Sequence, residues 1–428
     1  MKRLLKVFLV TFMTLGLVAC GGEDKDETVE KSSKVTVWAW DETFNIAAMK
    51  EAASMYKDID PDVEVEIVTM SQDDIVQKLH TSLSSGKIDG LPDVVLIEDY
   101  RIQNFLSAYQ DSFAQVNDIV DEKAFDEYKF AINKVGDKIY GVPFDSGVAG
   151  LFYRTDYIEE AGYTMEDMEN LTWEKYIEIA KAVKEKTGKD MLTLDPSDVG
   201  QLRVMMQSAG EWYMEEDGET VNIENNQALK DGIKLYKEMI DAGIVKQVSD
   251  WDSFVSAFQQ SDVASVPTGC WISSSITAAE DLSGKWAVTK IPRMEANADS
   301  VNYSSIGGSG WYIIKNDNTD LAKAFMKDTF ASSAELMDTL ATKIGAVSTL
   351  KAAKNTESYE AANPFYNDQS TLKMLSEWSG EVKGVNYGLH TYAIEAVVAE
   401  AVQAILDGAD VDATLKDAQT QAESAVVN

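Results

Sequence analysis

Nine tryptophans, seventeen tyrosines and 72 aspartates and glutamates stand beside only two histidines and two cysteines in a chain of 428 residues. Such a set is better equipped to stack on flat faces and accept hydrogen bonds than to cleave bonds. With His80 and His390 alone available, a Ser-His-Asp triad has two possible bases, and a histidine-rich zinc site is excluded. No metal and no cofactor is expected. Cys20 and Cys270 fall in unlike contexts, so they are not expected to form a disulfide, and Cys270 beside Trp271 reads as a small buried apolar residue. Trp38, Trp40 and Asp41 close one β-rich run, and Glu98, Asp99 and Tyr100 follow another. A carboxylate so placed accepts two hydroxyls at once, each contact contributing about 1.5–3 kcal/mol before desolvation.

These two groups share a rim if the chain folds as an open α/β sheet, because such sheets bind ligands at the carboxyl ends of their strands. The hydrophobic pattern supports that architecture. Residues 35–40 alternate, Phe44, Ala47, Ala48, Ala52, Met55 and Tyr56 recur at helical spacing, and residues 63–68 alternate again, a βαβ start. The pattern predicts a second helix over 73–84 and a short buried strand over 91–97. A further series begins near Leu151, with helices predicted over 172–187, 199–209, 226–242, 253–260, 393–406 and 411–422. Thr172 is the expected N-cap of the first of these, and Gly188 ends it after Lys184 and Lys186. At this length two lobes are expected, with no internal repeat.

The charge balance narrows the partners. Against 72 acids there are 38 Lys and Arg, a formal net charge of −34. A body this acidic repels phosphate backbones, so no nucleic-acid partner is expected. The amino end is different: Lys2, Arg3 and Lys6 precede an apolar run from Val7 to Ala19, too short to span a bilayer and patterned as a secretory signal. Leu17-Val18-Ala19-Cys20 resembles a bacterial lipobox, which implies cleavage before Cys20 and a diacylglycerol on its sulfur. Two acyl chains anchor stably where one does not. Residues 1–19 are thus expected to be the signal and 20–33 a lipidated, flexible polar tether. Losing three cations and no acid takes the mature charge to −37.

Along the body, Gly90-Leu91-Pro92-Asp93-Val94, Gly141-Val142-Pro143-Phe144-Asp145, Leu151-Phe152-Tyr153-Arg154-Thr155-Asp156, Leu171-Thr172-Trp173-Glu174, Gly269-Cys270-Trp271 and Ile306-Gly307-Gly308-Ser309-Gly310-Trp311 follow the Val35–Asp41 strand in that order. Behind a lipobox this succession resembles the carbohydrate-binding lipoproteins of ABC importers, extracellular solute-binding family 1, over roughly residues 20–428. Leu415-Lys416-Asp417-Ala418-Gln419-Thr420 is similar to the last helix of maltodextrin-binding proteins, and Trp38-Ala39-Trp40-Asp41 to the lactose or arabinose-oligosaccharide branch. The resemblance implies a type II periplasmic-binding-protein-like α/β fold. Its lobes would be 34–145 with about 307–340, and 146–306 with about 341–428. The chain would cross between them near 145–149, near 304–308 and around 334–343, and a sugar would be held in the cleft.

A sugar offers apolar ring faces and a rim of hydroxyls, so it calls for aromatic platforms with carboxylates at the edge. The resemblance places Trp271 as the main platform. Trp38, Trp40, Trp212 and Trp251 are further candidates, and Asp145, Glu98, Asp41 and Asp99 are the expected perimeter acceptors. Tyr100 and Tyr392 offer both face and hydroxyl, and Gly308 and Ser309 fall where the backbone must bend or approach a ligand closely. Trp173, Trp286 and Trp378 are assigned to packing. The function implied is capture of a di- or oligosaccharide by hinge closure and delivery to membrane permease subunits, by a monomer lipid-anchored to the outer face of the bacterial cell membrane and without catalysis. The alternatives are a glycoside hydrolase and a binding protein for a non-sugar solute such as a peptide.

Overall fold

The computed structural model describes residues 33–426; the expected signal peptide, Cys20 and the tether up to residue 32 lie outside the described residues. The chain opens with β1 (Lys34–Ala39), α1 (Asn45–Ile59), β2 (Glu64–Thr69), α2 (Gln72–Ser84), β3 (Val94–Glu98), α3 (Asp99–Tyr109) and α4 (Tyr128–Asn133). A small hairpin, β4 (Lys134–Val135) and β5 (Lys138–Ile139), leads into β6 (Gly141–Asp145). Then come β7 (Ala149–Arg154), α5 (Thr155–Glu160), α6 (Trp173–Thr187), β8 (Leu192–Leu194), α7 (Gly200–Ala209), α8 (Gln227–Asp241), β9 (Val245–Gln247), α9 (Trp251–Gln259), β10 (Ser265–Gly269), α10 (Ser273–Thr277) and β11 (Trp286–Lys290). The chain ends through β12 (Ser309–Ile313), α11 (Thr319–Asp328), α12 (Ala334–Ile344), α13 (Glu357–Glu360), α14 (Thr371–Ser379), α15 (Thr391–Leu406) and α16 (Val411–Val426).

Two sheets organise these elements. The first has the order β2-β1-β3-β12-β6, with β1 parallel to β2 and β3, and β12 antiparallel to both β3 and β6. Alternation along its strands sorts side chains to two cores. Val35, Val37, Val94, Leu96, Trp311 and Ile313 pack with α1, α11 and α12 on one face. Trp38, Val95, Ile97 and Tyr312 pack with α2 and α3 on the other. A sheet covered on both faces explains why β3 reads as an unbroken apolar run. The second sheet has the order β10-β7-β11, antiparallel throughout, and β7 is buried along its whole length because it lies between the other two. One face packs on α6, α7, α8 and α15, the other on α9 and α14.

Local signals account for the element ends. Thr172 accepts from the Lys175 amide and Gly188 adopts φ of 71° beyond the last turn, as expected. Helix α9 starts at Trp251 rather than Ser253, because Asp250 takes the cap and accepts from the Ser253 amide. The rim after β3 also differs from expectation, since Asp99 and Tyr100 are the first residues of a helix rather than the tail of a strand.

The lobes are joined by paired connections. Ala149 N donates to Ser304 O and Ile306 N to Gly147 O, so the outgoing stretch 145–149 and the returning stretch 304–309 run antiparallel. The expected third passage around 334–343 falls later: that stretch is helix α12, whose Leu336, Met337 and Leu340 are buried against α1 in the first core, and the chain crosses between α12 and α14, starting beside the outgoing stretch, where Ser146 N donates to Val347 O.

Candidate functional site

The carboxyl ends of β1 and β3 face α15, α7 and the β10–α10 turn across the gap between the sheets. Tyr100, leaving β3, is the first lobe's deepest reach: its ring joins the second lobe's core, 5.3 Å from Trp212 and 4.6 Å edge-on from Tyr387, and its hydroxyl accepts from Gly307 N at 3.0 Å. Beside it, Tyr392 donates to Glu98 across the gap. Glu98 also accepts from Gln72 at 3.1 Å, and Arg101 lies 3.8 Å over the Tyr392 ring. Arg203 approaches from α7, 5.3 Å from the Tyr100 ring and 5.5 Å from that of Tyr392, and pairs with Glu395 at 3.2 Å and Asp198 at 3.1 Å. Cations on ring faces and carboxylates on hydroxyls are the contacts that a polyhydroxylated ring can take over. Trp40, Gln72, Glu98 and Arg101 line a crevice too narrow to admit water.

A second group of faces lies at the mouth. Trp271, directly after β10, is half-buried; its indole N–H donates to Ile306 O at 3.0 Å, and its ring lies 5.8 Å from that of Trp251. Trp251 is 43% exposed and continues the aromatic row to Phe254. Nearby, Thr43 meets Ser274 and Ser275 of α10 at 3.4 and 3.3 Å, a polar contact between lobes.

Not every expected site residue faces this gap. Trp38 is buried under α2, and Trp212 is buried with its indole N–H on Thr391. Asp41, at φ 62°, spends its carboxylate on Thr43 and the Phe44 amide as a local turn. Asp99 and Asp145 differ most from the perimeter role expected of them. Both are buried, Asp99 with both oxygens on Lys129 at 2.9 and 2.7 Å, and Asp145 accepting from the amide and hydroxyl of Ser309 at 2.8 and 2.6 Å. Both carboxyls are buried and bonded within the first lobe and its connections, which takes them off the exposed perimeter. Gly308, at φ 92°, passes so close to Asp99 that a Cβ there would come within 2.6 Å of its oxygen. Cys270, Trp173, Trp286 and Trp378 are buried, in keeping with their packing assignments.

The electrostatics carry a prediction. Burial raises the carboxyls of Glu98, Asp145 and Glu395 above their ordinary values and takes Asp99 from 3.8 to about 6, against the pull of Lys129. Such groups hold protons in the folded chain that the unfolded chain has released, so stability falls as pH rises through the window between the ordinary and the raised values. Asp99 alone contributes about 1 kcal/mol between pH 7 and pH 5. A thermal melt near pH 5 is therefore expected to lie above one near pH 7.5; the reverse order would mean that these carboxyls stay ionised and compensated.

Over residues 47–365 the sequence matches the family model described as bacterial extracellular solute-binding protein. The chain belongs to that family. It is similar to the lactose-binding protein of Rhizobium radiobacter, 39% identical over 422 residues that cover 98% of both chains. It is also similar to the arabinooligosaccharide-binding protein of Bacillus subtilis, 27% identical over 349 residues that cover 78% of this chain and 77% of the relative. In fold it is similar to the ABC transporter associated binding protein from B. animalis subsp. lactis, solved in complex with beta-1,6-galactobiose, with a TM-score of 0.77, 19% identity, and coverage of 91% and 96%. The two-lobe type II α/β fold expected from the sequence is therefore the fold observed. Among the described residues of this solute-binding protein, no helix is long and apolar enough to cross a membrane.

Four charged residues of the gap and hinge escaped the sequence reading: Arg101, Lys129, Arg203 and Glu395. Each left a signal. Lys129 stands between Tyr128 and Phe130, Arg203 between Leu202 and Val204, and Glu395 inside the apolar run of α15, where a lone charge calls for a buried partner.

Proposed function

We propose that this protein is the extracellular substrate-binding component of an ABC sugar importer, capturing a di- or oligosaccharide between its lobes and handing it to membrane permease subunits. The observation that carries this reading is the meeting across the gap of Tyr392 with Glu98, flanked by Arg101, Arg203 and the Trp271–Trp251 faces. A sugar ring stacked on Trp271 would take over these cross-lobe hydrogen bonds, and the differential affinity for the closed form would drive closure. The lactose-binding relative, similar over almost the whole chain, makes galactosides the first ligands to try. Cys20 carries the lipid in this reading, holding a monomer at the outer face of the cell membrane. In this reading the protein acts without catalysis, and Glu98 and Asp99 do not form a glycosidase pair, since one turns to Tyr392 and the other to Lys129.

Calorimetry with lactose, β-1,6-galactobiose, arabino-oligosaccharides and malto-oligosaccharides tests the proposal. Micromolar binding, about −8 kcal/mol, with a tryptophan fluorescence change and unaltered sugar is the expected result. Hydrolysis products would turn the assignment to a glycoside hydrolase, and silence across the panel to a non-sugar solute such as a peptide. The Cys20→Ala variant is expected to leave the membrane fraction; retention there would refute the lipid anchor.

A further inference from the structure

Lys129 has no exposed surface, and its ammonium meets four acceptors supplied by three separate segments. Two are the carboxylate oxygens of Asp99, where α3 begins. The third is the carbonyl of Asp145, the last residue of β6, at 3.1 Å, and the fourth that of Ser309, the first residue of β12, at 2.9 Å. One nitrogen therefore ties the outgoing and returning connections together at the point where both leave the first sheet. Asp145 doubles the tie through the Ser309 amide and hydroxyl, and the Asp99 amide donates to Gly308 O at 3.0 Å.

On the far side the two connections are next held by Gly147 O accepting from Ile306 N at 2.8 Å and by Ser304 O accepting from Ala149 N at 2.9 Å. Between the two ties lie Ser146 and Gly147 on the outgoing stretch, and Gly307 and Gly308 on the returning one. Both glycines of the latter have positive φ, 76° and 92°, and a Cβ on Gly147 would stand 2.7 Å from Gly307 O. Within this pair of connections a torsional change between rigid ends is thus confined to a few residues, most of them glycine, while the Ser146 amide also donates to Val347 O of the third passage at 3.1 Å. From within the gap, Tyr100 and Trp271 grip Gly307 N and Ile306 O from opposite lobes.

We propose that Lys129 is a positioning residue that fixes the pivot of lobe closure, by clamping the paired connections 145–149 and 304–309 at their first-lobe ends so that bending within this pair is confined to Ser146–Gly147 and Gly307–Gly308. The inference rests on the proposed capture of a sugar by closure, but its first test needs no sugar. In the full exported chain without ligand, hydrogen exchange is expected to be slowest at the Asp99 and Ser309 amides and at least tenfold faster at Ala149, Ile306 and Gly307. The reverse order overturns the proposal.

Variants separate clamping from charge compensation. Lys129→Met alone strands a buried carboxylate, so the informative comparison is Lys129→Met with Asp99→Asn against Asp99→Asn alone. The single variant keeps the ammonium on both carbonyls and should leave hinge exchange within twofold of the native chain. The double variant is expected to melt near the single one, to exchange at Ser309 at least tenfold faster, and to release whichever sugar the native chain binds at least tenfold faster. Native exchange at Ser309 in the double variant would show that Lys129 only balances charge. A native chain that binds no sugar on the panel would defeat the proposed function and leave the exchange result standing.

Discussion

Replacing Trp271 with alanine is expected to weaken oligosaccharide binding by between thirtyfold and a thousandfold, about 2–4 kcal/mol, the range of a central aromatic anchor. The ring has two tasks. Its ring is partly exposed beside Trp251, and its N–H holds Ile306 O in the returning connection. Trp271→Phe keeps a face and loses the donor, and should fall between alanine and the native residue, with most of the change in the dissociation rate. The indole lies so close to Gly269 that a Cβ there would run into it, so only glycine at 269 leaves room for this rotamer. Calorimetry on the three chains checks this. Equal affinity in all of them would place the sugar elsewhere, on the Glu98–Arg101–Tyr392 group alone.

Removing Arg203 is the other large effect. Its guanidinium is buried between Glu395, Asp198 and the rings of Tyr100 and Tyr392. Arg203→Met leaves Glu395 enclosed with only the Tyr213 hydroxyl, 3.0 Å away, as a partner. Stranding one member of a buried pair costs about 3–5 kcal/mol, which should appear as a lower denaturant midpoint with an unchanged slope. Adding Glu395→Gln should recover most of that loss, because the charge left unpaired is gone. A midpoint within experimental error of the native chain would mean that water reaches Glu395 and that the site is wetter than its packing implies.

How much of this was legible in the residues differs from place to place. Alternation in β1, the apolar run of β3 and the caps of α6 are local signals, and elements of the first lobe appear where their patterns put them. The position of β12 is not local. Nothing between Ser309 and Ile313 says that this strand enters a sheet begun at Lys34, because pairing partners are a property of topology rather than of periodicity. The same limit governs the site. Asp99 and Asp145 have the chemistry of a sugar rim, yet both are buried, Asp99 on Lys129 and Asp145 with one oxygen on Ser309, and those partners come from distant parts of the chain. Arg101 lies three residues after Glu98 on the same rim, but a lone arginine among acids carries no pattern that marks it as facing the gap. For Trp212 and Trp271 the sequence offers the same indole; only the fold buries one and half-exposes the other.

The insertion of β12 between β3 and β6 has a consequence for the order of assembly. A chain threaded through a membrane amino end first delivers β1, β2, β3 and β6 long before the strand that must lie between β3 and β6. The second sheet, by contrast, is complete once Lys290 has emerged. The first lobe must wait with the strand between β3 and β6 missing while the later-made sheet closes, and its completion pays the loop-closure entropy of a very distant pairing. Under the proposed export, slow maturation of this kind keeps the polypeptide threadable until it is outside.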